Sequence, residues 1–203
     1  VKAININFLL VYEHLIIVLV ATVIAVFVGV ILGVLAYWHK LASKVIIWVV
    51  DTVQIIPSLA LLSILMIIFG LGNQTLIIGL GLYSLLPITR NTYTGILGIE
   101  PSIREASKGM GMTRLQQLLK VELPLAFPLI FSGIKVAVVT GLGIAVMGVL
   151  IGAGGLGYPI YRGIQTRNTA LIMSGAIPVV LLALGFDYIM TKIESLIAKR
   201  RSP

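Results

Sequence analysis

Long apolar stretches separated by short polar connections constrain this chain more than any other feature. A helix crossing a bilayer needs about 20 mainly apolar residues, because the hydrocarbon core is about 30 Å thick and each residue rises about 1.5 Å. Five stretches meet that length: Leu15 to Trp38, Val45 to Phe69, Thr75 to Leu97, Leu125 to Ile151 and Ala170 to Met190. None shows the period-two alternation of a barrel strand, and backbone groups in lipid must otherwise be satisfied within a helix. The expected fold is an all-α integral membrane protein with five transmembrane helices, a single transmembrane domain over residues 1–203. Composition agrees, since 59% of residues are hydrophobic and 11% charged, too few charges to cover a water-facing surface. The first block is too long for a signal-peptide core, so it is expected to be a retained span.

The few charges set orientation and exclude some functions. Lys40, Lys44, Arg104, Lys108, Arg114, Lys120, Lys192, Lys199, Arg200 and Arg201 fall on one side if alternate connections share a side, against Lys2, Arg162 and Arg167 on the other. The positive-inside rule then predicts the N-terminus out and the C-terminus in, and Trp38, Trp48 and Tyr188 lie where interfacial aromatics are favoured. A net charge of +8 does not imply nucleic acid, because the basic residues are scattered over connections and the C-terminus. No cysteine is present, and His14 and His39 are far apart, so no metal site is expected. No lysine is followed by Ser or Thr, so no Walker A pattern exists. The run from Gly152 to Gly157 satisfies the Gly-x-Gly-x-x-Gly spacing, but it follows an apolar span where that fingerprint requires a strand, which predicts a close-packed or flexible outer turn.

The polar stretch from Glu100 to Pro128 has its own helix punctuation. Pro101 suits a first turn, Gly109 and Gly111 break that helix, and Thr113 with Gln116 forms a capping box for a second helix, which Pro124 is expected to end. Leu115, Leu118 and Leu119 share a face at i, i+3 and i+4. Such an apolar ridge on a polar elbow fits either a groove on a cytoplasmic partner or the chain's own spans.

Glu105-Ala106-Ser107, Gly111, Val121 and Leu123-Pro124 resemble, in type and spacing, the EAA loop of bacterial ABC-importer permeases. Ser107 and Val121 replace Ala and Ile. The resemblance implies that the elbow docks on an ATP-binding subunit and transmits its motion, with Glu105, Ala106, Ser107, Gly109, Gly111, Thr113, Leu115, Leu118, Leu119, Leu123 and Pro124 as coupling residues. Gln54 to Leu62, Leu86 to Ile96, Gly109 to Thr113 and Ile151 to Gly157 look like the osmoprotectant branch, which imports glycine betaine, carnitine and choline. It implies cytoplasmic ATP-binding subunits holding ATP and Mg and an extracytoplasmic binding protein, separate or fused, all at the bacterial cell membrane; five helices are too few to enclose a pathway and switch its access, so a second permease subunit is expected. This chain would be non-catalytic and hold no cofactor. A methionine- or amino-acid-type permease is the nearest alternative, and a secondary transporter would need an ion-coupling site or internal repeat that the spans do not display.

Candidate pathway or gate residues are Pro57, Ser58, Pro87, Asn91, Gly152, Gly154, Gly155 and Gly157. Pro57, Pro87 and Pro178 should kink or unwind their spans, although membrane helices often carry Pro for other reasons. Gly29 with Gly33 and Gly148 with Gly152 have the spacing of closely packed helices. Among charges inside spans, Arg90, Asp51 and Asp187 fall toward helix ends, where snorkelling or a rim salt bridge explains them. Lys135 lies deeper and is expected to pair with Asp51. Tyr83, Tyr93, Tyr158 and Tyr161 are read as packing or interface residues before substrate contacts.

Overall fold

The computed structural model describes residues 5–199. Lys2, Arg200 and Arg201, which entered the charge asymmetry, lie outside them. The described residues form helices joined by short turns, with no strand among them. Helix α1 (Phe8–Trp38) is started by Asn7, whose side chain accepts from the Leu9 N–H at 3.0 Å, and its 31 residues span about 46 Å. Its faces cannot be told apart by hydropathy. Ile17, Val18, Ala21, Ala25 and Gly29 are buried, whereas Tyr12, Val20, Val23 and Phe27, equally apolar, point outward.

The second expected span is not one helix. Helices α2 (Lys40–Ile55) and α3 (Ser58–Phe69) meet at a bend of 102°. Ile56, held extended at φ −65° and ψ 126° ahead of Pro57, supplies the reason, since a residue before proline avoids the helical region. Pro87 and Pro178, by contrast, sit within continuous helices: α4 (Asn73–Leu97) and α9 (Thr169–Lys199).

The fourth span also differs from expectation, because Pro124 does not end the elbow's second helix. Helix α6 (Arg114–Gln117) runs through a π-helical turn, Leu118–Glu122, into α7 (Leu123–Ile144) and a 3₁₀ segment, Ala145–Ile151. The Leu123 N–H donates to the Leu118 carbonyl, and this wider turn carries the chain past a residue with no N–H of its own. An additional short helix, α8 (Gly157–Gln165), follows the glycine turn. The first half of the elbow is α5 (Pro101–Gly109).

Phe8–Trp38, Arg114–Ile151 and Thr169–Ile197 are long and apolar enough to cross a membrane, or four segments are if the bent α2–α3 pair counts as one. Helix α4 is not among them, being rich in Thr, Asn and other polar residues, yet it is enclosed by its neighbours. It packs between α1 and α7, and Leu76, Leu80, Ile88 and Ile96 are sealed from solvent. Small residues allow this approach. A Cβ added to Gly33 would lie 2.5 Å from the Thr92 Cβ, and one added to Gly133 would lie 2.5 Å from the Pro87 carbonyl oxygen. The core gathers Ile17, Val18, Leu62, Leu76, Leu80, Val138 and Leu142 from α1, α3, α4 and α7.

Candidate functional site

Helices α5 and α6 form the expected elbow, and their local chemistry explains its shape. Thr113 and Gln116 make the capping box, with the Gln116 N–H donating to Thr113 Oγ1 at 3.3 Å and the Thr113 N–H to Gln116 Oε1 at 2.9 Å. Between the helices, Gly111 adopts φ +78°, a left-handed conformation that disfavours any residue with a Cβ. The two arms are tied together by Gln117. Its amide donates to Ser107 Oγ at 2.6 Å and to the Arg104 carbonyl at 3.0 Å, and both Gln117 and Ser107 are buried.

Arg104, Glu122 and Tyr37 root the elbow in the membrane helices. Arg104 Nε is 3.3 Å from Glu122 Oε1, and its Nη2 donates to the carbonyls of Ile96 and Leu97 at the end of α4. The Tyr37 hydroxyl donates to Glu122 Oε1 at 2.8 Å, and the guanidinium lies 5.3 Å from the Tyr37 ring centre. Glu122 is only 4% exposed, so this carboxylate is compensated by an ion pair and a hydrogen bond. Neither Tyr37 nor Glu122 was among the sequence candidates. An acid between Lys120 and Leu123-Pro124, at the junction of the elbow with an apolar span, was the available signal for Glu122.

The leucine ridge does not keep a common face. Leu118 is 4% exposed and packs with Val34, Ile96, Ala126 and Ile130, whereas Leu115 and Leu119 are 58% and 55% exposed. Leu118 and Leu119 are adjacent and point about 100° apart around the helix, so one turns inward and the other outward. Met110 is exposed too, as are Glu105 and Ala106, while Leu123 is half-buried. The elbow therefore presents apolar side chains on a polar element whose inner side is already satisfied.

The gate candidates fall in three places. Pro57 and Ser58 lie at the α2–α3 bend. Pro87 and Asn91 lie on the contact of α4 with α7, where the Asn91 amide donates to the Leu129 carbonyl at 3.0 Å. Gly152, Gly154, Gly155 and Gly157 lie at the end of the molecule opposite the elbow. There the Glu13 carboxylate accepts from Asn73 Nδ2 at 3.1 Å and from the Gly155 N–H at 3.0 Å, and Asn73 Oδ1 accepts from the Gly154 N–H at 2.8 Å. The Gly72 N–H donates to the Ile151 carbonyl at 2.9 Å. Buried His14 lies 3.1 Å through Nε2 from the Leu142 carbonyl. Sequence reading missed Glu13, which has no local pattern and acquires partners only through the fold.

The expected Asp51–Lys135 pair is not formed. Arg90 Nη2 donates to Asp51 Oδ2 at 2.9 Å, joining α2 to α4. Lys135 instead donates to Thr191 Oγ1 at 2.8 Å and lies 3.4 Å from Asp187 and 3.8 Å from Glu194, because α7 packs against α9. No cluster of three or more metal-ligating side chains occurs among the described residues.

Comparison with known proteins agrees in fold and sequence. The chain is 45% identical over 90% of its length, and 80% of the relative's, to the glycine betaine/carnitine/choline transport system permease protein OpuCD of Bacillus subtilis (strain 168). It is 47% identical to the choline transport system permease protein OpuBD of the same organism, covering 84% of this chain and 76% of that one. A chain of the inward facing MetNI methionine ABC transporter superposes with a TM-score of 0.83 at 26% identity, covering 92% of this chain and 94% of that chain. Residues 15–202 match the family of binding-protein-dependent transport system inner membrane components. The chain thus belongs to that family.

Proposed function

We propose that this chain is the membrane-spanning permease subunit of an ATP-driven importer of quaternary ammonium osmoprotectants, the class that includes glycine betaine, carnitine and choline. The observation that carries the coupling role is the elbow. Met110, Leu115 and Leu119 are exposed on a polar element whose arms are locked to each other by Gln117 and to the spans by Arg104 and Glu122. An apolar ridge on a rigid lever suits a groove on a moving partner better than lipid or water. The substrate class rests on the relatives, whose 45% and 47% identity exceeds the 26% of the methionine transporter chain.

In this reading the elbow faces the cytoplasm, the glycine turn faces outside, and α1, α2–α3, α4, the long α7 helix and α9 supply five crossings. Helix α4, too polar to count by composition, crosses because α1 and α7 enclose it. ATP and Mg reside on cytoplasmic ATP-binding subunits, an extracytoplasmic binding protein delivers substrate, and a second permease subunit completes the path. Closure of the ATP-binding subunits draws two elbows together and shifts the permease pair between inward and outward access. The permease residues perform no bond chemistry. They receive force at the exposed ridge and pass it through the Arg104–Glu122 root into α1, α4 and α7.

The test is uptake by proteoliposomes holding the assembled complex, with ATP inside and labelled choline, carnitine, glycine betaine or methionine outside. ATP-dependent, binding-protein-dependent uptake of the trimethylammonium compounds is expected. Preference for methionine, or ion-driven uptake by this chain alone, would overturn the reading.

A further inference from the structure

The break between α2 and α3 lies midway along the length of the molecule. The Tyr83 hydroxyl donates to the Ile56 carbonyl. Tyr83 sits about 15 Å from the start of α4 and about 21 Å from its end, so with α4 as a crossing, as in the reading above, the break is level with the middle of the membrane. Several backbone groups lose their helical partners there. Pro57 has no N–H to offer the Val53 carbonyl, and the 102° turn carries the Ser58 N–H away from the Gln54 carbonyl. These last carbonyls of the 16-residue α2 carry the partial negative charge of its C-terminal end.

Irregular backbone at this depth cannot face lipid, and is tolerated only against protein or a water-filled cavity. Described residues of this chain leave it open, for Gln54 and Pro57 are exposed and Ile55 is 81% exposed. A polar row continues from it. Asp51 lies one turn before Gln54, Arg90 reaches Asp51 from α4, and Thr94 is exposed one turn beyond Arg90. The Arg90 side chain is 51% exposed although it lies about 10 Å inside the end of α4. A half-exposed guanidinium at that depth needs water.

We propose that the α2–α3 break is a cation subsite on a water-lined translocation path, where the carbonyl end of α2 attracts a quaternary ammonium group. Such a cation donates no hydrogen bonds, so carbonyl oxygens and an aromatic ring are the groups that attract it, and Tyr83 holds a ring at this level. The proposal rests on the substrate class of the reading above.

The sequence has no cysteine, so single thiols can be placed without background. Gln54→Cys and Ser58→Cys, in the assembled transporter in proteoliposomes, would be reacted with methanethiosulfonates bearing either trimethylammonium or sulfonate. Rates would be normalised to a free thiol. The cationic reagent is expected to react about tenfold faster or more at both positions, and choline should slow it. Phe27→Cys, on the outward apolar face of α1, should react with neither. Equal rates for the two reagents, or no reaction at either position, would overturn the subsite. Should one variant fail to assemble, the other decides. Choline uptake with equal labelling rates defeats this inference alone, whereas cation-selective labelling without uptake of any quaternary ammonium compound defeats the substrate reading alone.

Discussion

Glycines at the two ends of the molecule are kept for opposite physical reasons. At the elbow, a Cβ added to Gly109 or Gly111 would meet no atom within 4 Å, and Gly111 is required only for its φ of +78°. At the turn, a Cβ on Gly157 would collide with the Val146 carbonyl and one on Gly154 with the Glu13 carboxylate. The elbow is thus open outside and tied by side chains at its root. The turn is packed tightly against α1, α4 and the 3₁₀ segment, with backbone donors held by Glu13 and Asn73. In the proposed reading the elbow is a lever, which needs free space around a rigid joint, and the turn is a closure, which needs contact.

Substitutions can break this contrast, from large effects to small. Glu122→Ala should be the most damaging, costing about 3 kcal/mol, because it strands the Arg104 guanidinium at the root of the elbow. Thermal unfolding of the purified chain in detergent would show it, and Arg104 carbonyl contacts strong enough to leave the midpoint unchanged would contradict the root. Gly157→Ala should cost about 2 kcal/mol through overpacking against backbone that cannot move aside, read by the same melting experiment. Gly111→Ala should cost about 1 kcal/mol of backbone strain, with insertion intact but substrate moved per ATP reduced in the reconstituted complex. Gly109→Ala, in open space at the end of α5, should change stability by less than about 0.5 kcal/mol. Comparable losses at Gly109 and Gly157 would erase the distinction between the two ends.

Local chemistry was readable in the sequence, and long-range partnership was not. The capping box of Thr113 and Gln116 appears as read, because it depends only on residues three apart. The close packing at Gly29 and Gly33 was likewise visible in their spacing. Pro57, Pro87 and Pro178 look alike in sequence, yet only Pro57 joins two helices at a sharp bend. Pro87 and Pro178 are accommodated inside α4 and α9. Lys135 was assigned to Asp51 because both lie on spans entering from one side, but neighbours are set by packing, and α7 lies against α9. The leucine ridge divides for a reason that hydropathy does not carry: successive helical residues point about 100° apart, so Leu118 turns into the core while Leu115 and Leu119 stay outside.

The central claim is that the elbow's exposed apolar residues touch an ATP-binding subunit. Since the sequence has no native cysteine, Leu115→Cys and Met110→Cys can be crosslinked to lysines of that subunit in the assembled transporter with a short thiol-amine reagent. Both positions should crosslink, and Tyr158→Cys at the glycine turn should not. Crosslinking at Tyr158 in place of Leu115 and Met110, or at none of the three, would contradict the account.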